Sequence, residues 1–253
     1  MNKGFRIAIG VLCLIAAASI GIYVFVEWWN RKSAEDTYRD LAQDTIIEEP
    51  SDPEPAEEAQ VYIPERNIDW GALRAQNPDI YAWVYIPDTN IDYPVLQHPT
   101  DDLYYLEHNL DGSTGYPGCI YTEKTYNNID FQDPVTVLYG HNMKNGSMFS
   151  NLHLFEDETY FKADRFVYIY TPSGNYAYEV FAAYELDDRH LLAGLDLTGE
   201  GALEIYESMI KESCTGRFKE MSELTAEDKL ITLSTCVGGG RSEVRFMIQG
   251  RRL

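Results

Sequence analysis

This sequence predicts a mainly β domain, closed or nearly closed into a barrel of about eight strands. Three observations point to it. Beyond Asn67 the chain is dominated by short runs that alternate with period two or are rich in β-branched and aromatic residues: Ala82–Ile86, Ile91–Leu96, Cys119–Thr122, Val135–Tyr139, Phe166–Thr171, Tyr176–Leu186, Leu230–Cys236 and Val244–Gly250. Turn chemistry separates several of them, as in Pro87-Asp88-Thr89-Asn90 and Pro172-Ser173-Gly174-Asn175. Only two stretches of that region carry helical spacing: Ile68–Asn77 at its start, and Leu203–Ser213 before the last two strands.

The first element lies outside that domain. Residues Ile7 to Val26 form an apolar run long enough to cross a bilayer as a helix. Lys3 and Arg6 precede it, and Trp28 and Trp29 follow at the expected interface, with Arg31 and Lys32 just beyond. Positive charge on the short N-terminal side predicts a cytoplasmic N-terminus. A cleaved signal peptide is the rival reading, with Ala16-Ala17-Ala18-Ser19 as its cleavage site. Its apolar core should span roughly 7–15 residues, whereas this run continues to Val26, which favours an uncleaved, single-pass anchor over residues 1–32. Either way the rest of the chain lies outside the cytoplasm.

Residues 33–66 are acidic and proline-bearing, as in Glu48-Glu49-Pro50-Ser51-Asp52-Pro53. Such a segment buries too little apolar surface to offset its ordering entropy. It reads as an extracellular stalk with no binding role, helical in part near Thr37 to Ile47. Residues 67–253 are the folded domain. In its first helix Trp70 and Leu73 share a face and Pro78 stands just past the end. In the second, Leu203, Tyr206 and Ile210 are spaced along one side after the helix-breaking Gly199 and Gly201.

A net charge of -21 over 253 residues argues against nucleic acid as a partner, because an acidic surface repels phosphates. The four cysteines form no CxxC pair and no zinc-spaced cluster with histidine, and no calcium loop is present, so no metal or cofactor is expected. With Cys13 in the apolar run, an odd number remains outside it, which leaves at least one free thiol.

Cys236 ends a strand and is followed by Val237 and Gly238-Gly239-Gly240, where the backbone turns away and leaves room for another chain. Cys119 and Cys214 lack that setting and read as small, buried or half-buried residues. His141 stands just past the strand Val135–Tyr139, through Gly140, and imidazole exchanges protons near neutral pH. His98, His108, His153 and His190 occupy turns, polar stretches or a helix and read as surface or capped residues. On the last strand, alternation points Val244, Phe246 and Ile248 to the core and Arg245, Met247 and Gln249 the other way. A short loop makes this strand the antiparallel partner of the Cys236 strand, which brings Arg245 beside the thiol as a donor fork for an oxyanion. Arg241, in the loop, is the weaker competitor.

Taken together these stretches resemble the sortases. Thr232-Leu233-Ser234-Thr235-Cys236 is similar to their TLxTC signature. Tyr139-Gly140-His141-Asn142-Met143, with Met148-Phe149 and Leu152 after it, is similar to the histidine region of class B members, and Arg245-Phe246 matches the family arginine. Ile68-Asp69-Trp70, Asn77–Trp83 and Thr89–Gln97 agree as well, so the resemblance runs from about Asn67 to the C-terminus. It implies an eight-stranded sortase-type barrel on the outer face of a Gram-positive membrane. It also implies a cysteine transpeptidase that cleaves a C-terminal sorting signal at a Thr–Gly-like bond and passes the protein to an amine acceptor. Cys236 is then the nucleophile, His141 its acid–base partner and Arg245 the stabiliser of charge. Ser234, Thr235 and Val237 are the expected substrate-binding residues. Class B members often carry an acidic side chain where this sequence has Val237; the Val237 N–H is expected to remain as an oxyanion donor. The implied partners are secreted surface proteins with a sorting motif and a peptidoglycan precursor or other amine. A pilin-joining enzyme and a tethered, non-catalytic peptide-binding module remain as alternatives. A papain-like hydrolase requires the opposite order of cysteine and histidine.

Overall fold

A computed structural model describes residues 3–47, 62–197, 199, 201–238 and 243–253. Arg241 and residues 48–61 of the expected stalk lie outside them. Eight strands close the barrel: β1 Ile80–Tyr85, β2 Asp92–Leu96, β3 Ile120–Tyr121, β4 Val135–Tyr139, β5 Phe166–Thr171, β6 Gly174–Asp187, β7 Leu230–Cys236 and β8 Val244–Arg252. Their order around it is β8-β6-β5-β1-β2-β3-β4-β7, with β7 closing onto β8. The pairs β2–β3 and β4–β7 are parallel and the others antiparallel. Each expected strand is present, within a few residues of its predicted ends.

The strands read as nearly continuous apolar runs because both faces of much of the sheet are covered. Inside the barrel, Trp83, Ile169, Tyr178, Leu233, Phe246 and Ile248 form the main core. Outside, Val137, Tyr184, Leu230 and Met247 pack under helix α5 (Ala202–Ser213) through Tyr206 and Ile210. Met247 and Gln249 do point away from the barrel interior, but into this second core rather than into water. Gln249 is fully buried there, accepting from Thr232 and donating to Tyr206.

Helix α2 (Trp70–Gln76) starts at Asp69, whose carboxylate accepts from the Ala72 N–H at 2.9 Å. It ends at Asn77, forced into extended backbone by Pro78. Short helices α3 (Tyr104–Glu107) and α4 (Glu158–Lys162) and a 3-10 helix over Phe149–Glu156 fill the connections.

Helix α1 runs unbroken over Lys3–Thr45, about 65 Å at the usual rise. It is the one helix among the described residues that is long and apolar enough to cross a membrane, by length and composition. Its apolar side chains from Leu12 to Trp29 are exposed. Its C-terminal end is not. Tyr38 and Leu41 are buried in the main core, and the Tyr38 hydroxyl donates to the Gly118 carbonyl at 2.6 Å. The start of the segment read as a stalk is thus a helix docked on the barrel. Two apolar side chains three residues apart found a complementary surface from Tyr93, Gly118 and Cys119 that the local composition does not reveal.

Candidate active site

Cys236 is the last residue of β7 and is half-buried. The β7–β8 register pairs it with Arg245, which is half-buried on the neighbouring strand. His141 follows β4 after Gly140, and β4 lies on the other side of β7. His141 and Cys236 line one cleft of about 660 Å³. Trp28, Arg31, Lys32 and Glu35 of α1 form its opposite wall, together with Tyr116 and Lys144. The three residues expected to carry the chemistry therefore meet at one end of three adjacent strands.

The histidine is aimed by its surroundings. Its Nε2 lies 2.7 Å from the Leu106 carbonyl, so Nε2–H donates there and Nδ1 is left for proton exchange. Tyr116 meets the ring edge-on at 4.9 Å, and Arg31 of α1 lies over the Tyr116 ring. The Thr235 hydroxyl donates to the Gly140 carbonyl at 2.8 Å, and the Gly140 N–H to the Ser234 carbonyl. These bonds tie the histidine turn to the Cys236 strand.

Gly140 has no room for a side chain. A Cβ there would stand 2.5 Å from Ile120 and 2.7 Å from the Phe149 ring, both fully buried. Gly140→Ala is expected to cost about 1–3 kcal/mol of stability by overpacking, read as a lower urea midpoint, with a parallel loss of activity as His141 shifts. An unchanged midpoint contradicts this.

Burial pushes the His141 pKa below its ordinary value. The Leu106 carbonyl and Glu107 oppose the shift, and the Arg245 charge adds to it. A lowered imidazole pKa means that the unfolded chain takes up a proton that the folded chain refuses. Stability is then lost as pH falls from about 6.5 towards the lowered value. Urea unfolding at pH 7.5 and 5.0 should show a larger loss on acidification for the wild type than for His141→Gln; equal losses contradict the assignment.

The other cysteines are unsuited to nucleophilic work. Cys119 is buried against Tyr38, and burial pushes its thiol up to about 12; burial pushes Cys214 up to about 11. No group of histidine, cysteine and acidic residues among the described residues could hold a metal ion.

Two expectations about the substrate-binding residues require correction. The Val237 N–H is committed to the Val244 carbonyl at 3.1 Å, because the β7–β8 ladder extends one residue past Cys236. It is not a vacant oxyanion donor. Thr235 is buried on the inner face of β7 and spends its hydroxyl on Gly140, so it positions the histidine turn instead of facing a ligand. Ser234 shares the face of Cys236 but is buried between Tyr139 and Met247.

Sequence reasoning missed two side chains at Cys236. Asn142 donates to the Cys236 carbonyl at 2.9 Å, and His153 Nε2 lies 3.1 Å from the same oxygen. Asn142 adjoins His141, a usable signal. His153 lies 83 residues before Cys236 and carried none.

A closed barrel that brings a strand-end cysteine and a histidine into one cleft, with an arginine opposite the cysteine on the next strand, has counterparts among known proteins, and the comparisons name the class. The Sortase domain family model matches residues 84–253, and the chain belongs to the sortase family. Class B members are among the proteins it is similar to. Sortase B of Listeria monocytogenes is 30% identical over 148 residues, a match spanning 58% of this chain and 58% of that protein. The crystal structure of sortase B from Bacillus anthracis in complex with AAEK1 superposes with a TM-score of 0.69 at 27% identity, covering 90% of this chain and 99% of that one. A Streptococcus pyogenes class B sortase involved in pilus biogenesis gives 0.63 at 25% identity, covering 73% and 98%.

Proposed function

We propose that this protein is a membrane-anchored cysteine transpeptidase that cleaves a C-terminal sorting signal at a Thr–Gly-like bond and transfers the protein to a cell-wall amine. The observation that carries the reading is that Cys236 and His141 line one cleft while Arg245 stands opposite Cys236 on the neighbouring strand. Helix α1 anchors the chain with its N-terminus in the cytoplasm and the barrel outside, between secreted substrate and wall precursor.

The thiol proton of Cys236 passes to Nδ1 of His141, and the thiolate attacks the carbonyl carbon of the scissile bond. A C–S bond forms, and the resulting oxyanion is held by the Arg245 guanidinium. Collapse breaks the C–N bond; the leaving amine takes the proton from His141, and a thioester remains on Cys236. An acceptor amine then attacks, gives its proton to His141 and expels the thiolate. The side chain of Val237 flanks the scissile residues. Burial lowers the His141 pKa, which favours the neutral imidazole.

The similarity to a sortase involved in pilus biogenesis favours a second reading, in which the acceptor amine belongs to a pilin. The test uses the full chain in detergent with reductant, a panel of NPQTN-, SPKTG- and LPXTG-like peptides, and either a glycine-type amine or a pilin lysine peptide. Mass spectrometry of the products distinguishes the two acceptors. Tight peptide binding with neither cleavage nor transfer would instead support a tethered binding module.

A further inference from the structure

We propose that His153 is a positioning residue for the nucleophile, holding the backbone carbonyl of Cys236 so that the thiol stays aimed into the cleft. This rests on the reading of Cys236 as nucleophile. The β4–β7 ladder shows why that carbonyl needs holding. In this parallel pair the Gly140 N–H donates to the Ser234 carbonyl, and regular continuation would have the Asn142 N–H donate to the Cys236 carbonyl. The chain cannot continue regularly, because it turns aside after Gly140 to present His141. The Cys236 carbonyl therefore loses its ladder donor at the residue whose side chain must be fixed. Side chains replace it: Asn142 Nδ2 at 2.9 Å and His153 Nε2 at 3.1 Å.

His153 is itself held on two sides. Its Nδ1 lies 2.6 Å from Glu156 Oε1, and its ring stacks on Phe246 at 4.9 Å and 20°. Phe246 is fully buried, follows Arg245 directly and pairs with Thr235 across the ladder. The Glu156 carboxylate makes Nδ1 a donor. When the ring is charged, Nε2 donates to the Cys236 carbonyl. When it is neutral, Nε2 accepts from Asn142 Nδ2, 3.0 Å away, whose other hydrogen still reaches that carbonyl. In both states His153 fixes the group that fixes Cys236. It touches no substrate atom in this scheme, and its whole effect passes through the backbone of the nucleophile.

Two variants separate the donor from the packing. His153→Phe keeps a ring on Phe246 and removes both nitrogens. His153→Gln places an amide nitrogen at a similar reach and keeps a donor. In the full chain, His153→Phe is expected to lower kcat for peptide cleavage about 10- to 100-fold, as misplacement of a reacting group does, with KM within about twofold. His153→Gln is expected to recover kcat to within a few-fold of wild type. Wild-type kcat in His153→Phe overturns the proposal, as does a loss in His153→Phe seen only in KM, or a His153→Gln enzyme as slow as His153→Phe. If His153→Phe fails to fold, His153→Gln alone decides: near-normal kcat supports the donor role and a 10-fold or larger fall contradicts it. Cys236→Ala runs alongside. Activity there would sink the reading of the nucleophile itself, an outcome distinct from any result at His153.

Discussion

Cys236→Ala is expected to abolish peptide cleavage, a fall of about 10⁴-fold or more, while leaving the fold intact. The thiol is half-buried at a strand end and its backbone bonds do not involve the sulfur, so melting should shift by no more than about 2–4 °C. The expectation is specific because the rival thiols are poor substitutes. Cys119 is buried on the Tyr38 side of the barrel with its proton held by desolvation, and Cys214 lies beyond α5, also raised. Neither lines the cleft that His141 and Cys236 share. Cleavage that persists in Cys236→Ala and is lost in Cys119→Ala or Cys214→Ala would move the nucleophile elsewhere.

Arg245→Lys is expected to lower kcat by about 10²–10³-fold, the scale for removing one oxyanion donor, with a smaller effect on KM. Register makes the case. Arg245 faces Cys236 directly across the ladder, and its charge is felt at both His141 and Tyr121 on neighbouring strands. The Val237 N–H is already bonded to Val244, so the oxyanion depends more heavily on the guanidinium. A lysine keeps the charge but presents a point donor on a flexible stem, not a planar fork. Stopped-flow measurement of thioester formation separates the cases. Slow acylation with normal peptide affinity supports the role, and wild-type acylation in Arg245→Lys contradicts it.

Much of this was legible in the chain. The eight strands could be read because β-branched and aromatic runs end at turn residues, and the register of Cys236 with Arg245 followed from the short connection between β7 and β8. The same register already fixes Val237 opposite Val244, so the fate of the Val237 N–H was derivable in principle. The docking of α1 was not. Tyr38 and Leu41 sit among Glu35, Asp36, Arg39 and Asp40, and their burial depends on a surface about 80 residues away in sequence. Leu106, 35 residues before His141, acts through a backbone carbonyl, which carries no sequence signature at all. His153 looked like an ordinary polar residue on a short helix, because a side chain that serves another residue's backbone has no motif of its own.

The most direct test of the account is the mass of the enzyme during turnover. The full chain is mixed with a cleavable sorting peptide in the absence of any acceptor amine, quenched in acid, and examined intact and after digestion. The account predicts an added mass equal to the peptide's N-terminal fragment, removed by hydroxylamine and located on the segment that contains Cys236. Cleaved peptide with no adduct, or an adduct on Cys119 or Cys214, would contradict it.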